Sequence, residues 1–173
     1  MMKPLVLLFF LWYVLQVSFA DAKAIRIVGV QAKGKEYDSV WTSEWNLVVH
    51  GSGNVFSPHR GTLTFPLRLG TIFRSAYEVT QAAKGPSARI KHEVTTTVIG
   101  WEDVVVAAGK FRALRVEGRG AYQRLDNPRK GVAQDILWYV PAVKRWVKYE
   151  RHATNDLGNV EDFLEEQVAF SLQ

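Results

Sequence analysis

The sequence predicts a mostly β protein, folded as a single curved antiparallel sheet or partial β-barrel of about eight to ten strands. Three observations support this fold class. Valine, threonine and aromatic residues recur in short runs, which favours a pleated and half-buried backbone. Glycine, proline and asparagine clusters separate these runs at short spacing, and no run sustains a helical stripe for long. Without a repeat or a low-complexity linker, residues 23–173 are expected to form one antiparallel β domain.

The first 22 residues have the features of a secretory signal peptide. Lys3 supplies a positive start, residues 5–15 form an uninterrupted apolar run, and small residues follow at the spacing that a signal peptidase requires. Cleavage is expected after Ala20 or Ala22. The alternative is a retained membrane anchor, but the run is shorter than the ~20 apolar residues of a spanning helix. We therefore expect a periplasmic or secreted protein with no membrane span after cleavage.

The first half of the domain predicts strands interrupted by one irregular stretch. "AIRIVGVQAKG" indicates an opening strand, and "SVWTSEWNLVVHG" indicates strand structure that ends at the turn-prone "GSGN", residues 51–54. "SPHRGTLTFPLRLG" contains two prolines and two glycines, so residues 57–70 are expected to cross the sheet irregularly. Residues 71–82 and the long segment that begins at Ala88 return to strand.

Two hairpins and a closing strand complete the prediction. In the first hairpin, residues 104–116, a short loop joins two strands, and Gly109 can take the positive φ that such loops require. That loop is expected to consist of Ala107, Ala108, Gly109 and Lys110. In the second, Pro141 suits the turn, so "DILWYV" pairs with "RWVKYERH". A final strand is expected from about Phe163 onward, although the spacing of apolar residues also fits a helix.

Composition limits the chemistry that the chain can perform. It contains no cysteine, which excludes disulfides, zinc–cysteine sites, thiol catalysis and a lipidated cysteine. The formal net charge is +5, and removal of residues 1–22 leaves it unchanged because Lys3 and Asp21 cancel. A basic domain attracts anionic surfaces or partners, although a charge of this size also serves ordinary solubility.

No motif predicts an enzyme, a metal site or a cofactor. The four histidines, His50, His59, His92 and His152, show no ligand spacing and are expected at the surface or at strand ends. The nucleophile elbow G-x-S-x-G is absent, and the adjacent acids Glu102 and Asp103 should point to opposite faces of a strand. "GRG", residues 118–120, indicates a bulge or a close approach of backbone. We expect no metal and no cofactor, and a hydrolase remains a third-ranked hypothesis.

The aromatic hairpin supplies the candidate ligand-binding residues. Simple alternation places Trp146 and Lys148 on one face of the return arm and Arg145, Val147 and Tyr149 on the other. Each face combines aromatic with polar side chains and neither is a clean basic stripe, and an exported protein rarely meets nucleic acid, so a nucleic-acid platform is not expected. These side chains could simply form the core of the sheet. In the functional alternative the lining residues are Trp138, Tyr139, Trp146 and Tyr149, with Lys144 and Arg145 meeting an anionic head.

Three segments resemble a known family. "FPLRLG", "GWEDVVVAAGKFRALRVEG" and "WYVPAVKRWVKYE" are similar to signatures of the DUF3108-like domains, uncharacterised exported bacterial proteins of unknown function. The resemblance implies antiparallel strands in a periplasmic protein or lipoprotein, and it implies no catalytic residue. This chain departs from the lipoprotein members because it has no cysteine.

Two functional hypotheses of different classes follow. The first is a non-catalytic envelope protein that binds an apolar or amphiphilic, lipid-like ligand inside its curved sheet. The second is a structural or interaction domain that docks another envelope protein through exposed tryptophan, tyrosine and arginine side chains. The oligomeric state is left open.

Overall fold

The computed structural model describes residues 24–30, 36–85 and 87–167, with side chains from Ser39 onward, so the signal peptide predicted at 1–22 and its expected cleavage positions lie outside the described residues. Within these ranges ten strands form one antiparallel sheet, and the predicted fold class is confirmed. The strands are β1 (Ala24–Val30), β2 (Glu36–Thr42), β3 (Leu47–Val49), β4 (Val55–Ser57), β5 (Ile72–Thr80), β6 (Arg89–Val106), β7 (Gly109–Arg124), β8 (Lys130–Val140), β9 (Arg145–Asn155) and β10 (Val160–Glu166). Short 3-10 turns occupy Ala82–Lys84 and Pro141–Val143.

Every strand pairs with the strand that follows it in sequence, so the spatial order is β1 to β10. The sheet curls strongly enough to bring its two ends together. The ring of Trp41 on β2 lies 6.5 Å from the ring of Trp146 on β9, although six strands separate them in the sheet order. The result is a half-barrel with a concave inner face and a convex outer face.

The strands follow the sequence prediction with three differences. The run after Ser39 is divided into β2 and β3 by a turn at Trp45, which has a φ of 60°. The predicted four-residue loop of the first hairpin is wrong, because Val106 pairs directly with Gly109 and leaves only Ala107 and Ala108 in the turn. The closing strand begins three residues before Phe163, and residues 168–173 lie outside the described part.

One half of the concave face is filled by the chain's own crossing segment, residues 58–71. The Asn46 side chain holds this segment in place, since its Nδ2 donates to Leu63 O and its Oδ1 accepts from Leu63 N, each at 2.8 Å. Leu63 is thereby buried among inward residues of β6 to β9. We call this the filled half; its members are Leu63, Val98, Leu114, Val116, Leu137, Tyr139, Trp146 and Tyr149.

A second core lies on the convex face. Ala108, at the tip of the β6–β7 hairpin, donates its N–H to Gln167 O at 3.0 Å, and Gln167 N–H donates to Val147 O on β9 at 2.9 Å. These bonds hold the hairpin tip against the end of the sheet. The buried members of this outer core are Val104, Val106, Ala113, Ile136, Trp138, Val140 and Val147.

A bulge in β9 changes which face Trp146 occupies. The β8–β9 register moves from Trp138 opposite Lys148 to Tyr139 opposite Trp146, so Val147 has no opposite residue. An extra residue on one strand shifts all that follows to the other face. Alternation alone placed Trp146 apart from Tyr149, and this is wrong: the two rings lie 6.3 Å apart in the filled half.

Candidate functional site

The other half of the concave face encloses a cavity of about 780 Å³, which we call the open half. Aromatic and cationic side chains contribute to its walls. Prominent among them are Phe56, Arg60, Tyr77, His92, Tyr122 and Arg151. They come from β4 to β7, from β9 and from the crossing segment, so the cavity spans most of the width of the curled sheet.

Two glycines on β7 let the neighbouring strand approach closely beside this half of the concave face. On β7 the inward positions change from Leu114 and Val116 in the filled half to Gly118 and Gly120. A Cβ at Gly118 would lie 3.1 Å from a side-chain carbon of Val94, and one at Gly120 would lie 2.2 Å from the Glu93 carbonyl oxygen. The expected close backbone approach at "GRG" is therefore present, without a bulge.

A buried ion cluster separates the two halves. Asp135 Oδ1 accepts from Arg60 Nη2 at 3.0 Å, from Arg151 Nη1 at 2.9 Å and from the Tyr149 hydroxyl at 2.7 Å. Arg60 Nη2 also donates to the Tyr149 hydroxyl oxygen, and the Arg60 guanidinium lies 4.8 Å from the centre of the Tyr149 ring. We call Arg60, Asp135, Tyr149 and Arg151 the arginine cluster.

The cluster is charged at neutral pH. Burial alone would raise the pKa of Asp135, but Arg60, Arg151 and the Tyr149 hydrogen bond hold it below its ordinary value. Burial raises the pKa of Tyr149, so its hydroxyl keeps its proton. Arg60 remains protonated because Tyr149 and Asp135 raise its pKa against the cost of burial. The carboxylate is thus ionised between two guanidinium cations.

His92 stands beside this cluster and is one of the most buried polar residues in the described part. Its ring stacks on Tyr77 with 4.8 Å between centres and 9° between planes, and it lies 5.7 Å from Tyr122. The expectation of a surface or strand-end histidine is wrong here, because His92 is buried at an inward position within β6. Burial, reinforced by Arg151 and Arg60, lowers the pKa of His92 to about 4, so the ring is neutral at pH 7.

A small apolar pocket of about 70 Å³ adjoins the cavity. Trp41, Trp45 and Trp146 line it, and the Arg145 guanidinium lies over the Trp45 ring at 5.4 Å. Arg60, Tyr149 and Phe163 line the pocket and the cavity alike. The two spaces therefore meet at the arginine cluster.

The six sequence-predicted site residues do not converge on one surface. Tyr139, Trp146 and Tyr149 are buried on the concave face, and Arg145 lines the small pocket beside them. Trp138 is in the outer core, where its Nε1 donates to Glu102 Oε2 at 2.8 Å. Lys144 is exposed in the hairpin turn with a φ of 51°.

Sequence reasoning missed the residues that carry the charge inside the half-barrel. Arg60 lies in the crossing segment, where no periodicity indicates which way a side chain points. Asp135 and Arg151 did carry a signal, since each is two residues from an inward aromatic or aliphatic side chain on its strand. A charged residue at an inward position of a strand marks a buried polar site.

The arrangement suits binding better than acid–base catalysis. A general base works best with a pKa near the operating pH, whereas Asp135 and His92 are both shifted downward. Among the described residues, no three histidine, aspartate or glutamate side chains come together to hold a metal ion. Within the same ranges, no helix is long and apolar enough to cross a membrane.

Comparison with known proteins places the chain in no family. No protein-family model and no curated protein matches it. A candidate lipoprotein of Parabacteroides distasonis aligns over 83% of this chain and 85% of its own, with 14% identity and a TM-score of 0.46. A candidate exported protein with a YmcC-like fold, from Bacteroides fragilis, aligns over 86% and 81%, with 13% identity and a TM-score of 0.43.

Proposed function

We propose that this protein is a non-catalytic envelope protein that binds an amphiphilic ligand in its concave face. The observation that carries the proposal is the contact between two unlike spaces: a cavity with cationic walls and a pocket lined by tryptophan. A molecule with one polar and one apolar part can occupy both at once. Ligand pockets commonly combine apolar walls with a few placed polar groups in this way.

The cavity has the dimensions of a ligand site. Its volume of about 780 Å³ falls within the roughly 300–1,000 Å³ that small-molecule pockets occupy. Part of its wall lies on strands that are paired on both sides, as Ala153 does on β9. A space that is already formed needs little ordering when the ligand enters, which favours affinity.

The compartment belongs to the same proposal. The predicted signal peptide would deliver the domain across the cytoplasmic membrane, where amphiphiles are plentiful and a chain without cysteine needs no particular redox state. The basic net charge further favours anionic partners. Within the envelope, a half-barrel of this kind would hold its ligand away from water.

Tryptophan fluorescence tests the proposal directly. Titration with decan-1-ol or decanoate should shift the emission, because the ligand changes the surroundings of Trp41, Trp45 and Trp146. Trp45→Phe should remove part of the response. Trp101→Phe, at an exposed position on β6, is the matched control and should not. Unchanged emission with both ligands, together with adduct-free native mass spectra of the purified protein, would count against amphiphile binding.

A docking function is the second candidate, and one observation favours it. β10 lies at the end of the sheet order. Val160 and Leu164 on this strand are exposed, and so is Leu157 just before it. Apolar side chains on a terminal strand are a surface to which another chain can add. A photo-crosslinker placed at Leu164 in the envelope fraction should capture one defined partner, whereas the same group at Val132 on the outer face should not.

A further inference from the structure

We infer that the amphiphile is an anion, and that Arg60 and Arg151 bind its acidic group inside the cavity. The inference rests on the proposed function and gives it a ligand class: a carboxylate or phosphate headgroup carrying an apolar tail. The sequence suggested that the Lys144–Arg145 pair at the hairpin turn binds the headgroup. The inference places the headgroup at the arginine cluster on the concave face instead.

The charges of the cluster do not cancel. Two guanidinium cations share one carboxylate, and both contacts end on the same oxygen, Oδ1 of Asp135. The side chains of Arg60 and Arg151 are each 17% exposed, and that of Asp135 is 7% exposed. One unit of positive charge therefore remains in a sheltered site, where an added anion gains more than it would in water.

Two further carboxylates lie near the cluster, outside the hydrogen bonds that join its four members. Glu161 lines the cavity and is exposed to solvent. Glu165 lines the small pocket, where burial raises its pKa while Arg145 and Arg60 act to lower it. The remaining cations of the cavity wall, which add to the positive field, are Lys84, Arg124 and Arg129. Of these, Arg124 is already paired with Asp126 at 2.6 Å.

The guanidinium groups have donors to offer. Each carries five N–H donors. Arg60 uses Nη2 for Asp135 and Tyr149, and Arg151 uses Nη1 for Asp135, so each guanidinium has a second terminal nitrogen outside these bonds. The Arg60 guanidinium lies over the Tyr149 ring, and this contact orients its fork of N–H donors before any ligand binds. Such a fork matches the two oxygens of a carboxylate or phosphate.

Affinity measurements with three probes test the headgroup and the tail separately. Decanoate presents both, decan-1-ol presents the tail with a neutral head, and acetate presents the acidic group alone. We expect decanoate to bind about tenfold or more tightly than decan-1-ol, because charge-assisted hydrogen bonds are the stronger kind. Decyl phosphate then shows which of the two acidic groups the site prefers.

Two substitutions locate the anion. Arg60→Met and Arg151→Met each leave Asp135 with one arginine and remove the surplus charge, so each should lower decanoate affinity about tenfold while decan-1-ol affinity stays within about twofold. Arg112→Met is the matched control, since it removes the same charge from an exposed pair with Asp103 on the hairpin tip. Arg60→Lys, which keeps the charge, should retain part of the preference for decanoate.

The outcomes separate the two proposals. Equal binding of decanoate and decan-1-ol, or a loss with Arg112→Met as large as with the cavity arginines, overturns the anion site and leaves amphiphile binding intact. If decanoate binds no better than acetate, and Arg151→Met abolishes binding of both, the proposal of amphiphile binding is overturned and the anion site stands. Absence of binding by all probes to a protein with an intact melting transition overturns both. If a cavity variant fails to fold, the decanoate preference of the unaltered protein decides.

Discussion

The filled and open halves of the concave face share the same strands but differ in the side chains that point inward from them. Along β8 the inward positions are Tyr139 and Leu137 in the filled half, then Asp135 at the boundary, then Ala133. On β9 the corresponding change runs from Trp146 and Tyr149 to Arg151 and Ala153. Large apolar side chains and the crossing segment fill one half, whereas aromatic and charged side chains surround a cavity in the other. The difference teaches that the chain packs one half of the concave face with its own side chains and leaves a cavity in the other.

The largest expected effect belongs to the filled half. Trp146→Ala should lower the free energy of unfolding by about 3–5 kcal/mol, because it removes a buried ring that packs between Trp41 and Tyr149. Chemical denaturation measures it. Tyr122→Ala, in the open half and only partly buried, is the comparison and should cost clearly less. Equal losses at the two positions would erase the contrast between the halves.

His92 should make the open half sensitive to acid. Its pKa is about 4 in the folded protein and ordinarily 6.5, so the unfolded chain takes up the proton first as the pH falls. The stability present above pH 6.5 is therefore lost between pH 6.5 and 4, and the loss approaches about 3 kcal/mol. Denaturation curves across this range for the protein and for His92→Leu isolate the effect, since the variant should show a flatter profile. Identical slopes would mean that His92 does not titrate as its burial indicates.

Asp135→Asn should have a smaller effect on stability and an opposite effect on binding. Loss of the carboxylate leaves two arginines without their anion, and we expect about 1–3 kcal/mol of destabilisation because the cavity admits water to both guanidiniums. Decanoate should then raise the melting temperature of the variant more than that of the unaltered protein, since it replaces the missing charge. A variant that decanoate stabilises less would show that Asp135 supports the ligand rather than competing with it.

The smallest stability effect is expected where the cavity has room. Ala153→Leu adds volume to the open half and should change the free energy of unfolding by less than about 1 kcal/mol, while decanoate affinity falls about tenfold or more. Ala113→Leu adds the same volume to the closely packed outer core and should cost about 1–3 kcal/mol. Comparable destabilisation at both sites would indicate that the open half is not a free space.

The sequence predicted the architecture because local signals decide it. β-branched runs and glycine or proline punctuation are enough to predict the strands, and Pro141 identifies the turn between β8 and β9. Alternation of side chains holds where the pleat is regular, as for Leu114 and Val116 on β7, which share the concave face. It failed at Trp146, since a bulge depends on the pairing of two strands and leaves no mark in either one alone.

The site was harder to predict because distant segments build it. The aromatic hairpin drew notice to Tyr149 and Trp146, and both line the small pocket. Arg60, which contacts Tyr149, comes from the crossing segment and is far away in sequence. Backbone hydrogen bonds hold the crossing segment in place, such as the one that Arg60 N–H donates to Leu47 O at 2.8 Å. Asp135 was read as part of an ordinary strand, although its alternation with Leu137 points it inward. Only the curl of the sheet brings these groups together.

Each of the ten strands pairs with the next one in sequence, and this pairing affects how the chain can fold. A polypeptide delivered from its N-terminus can zip each new strand onto the one that has just arrived, without waiting for a distant partner. One exception is the contact of Trp41 with Trp146, which needs the next-to-last strand. Until β9 emerges, the tryptophans of the N-terminal strands stay in water, and the two ends of the half-barrel cannot meet.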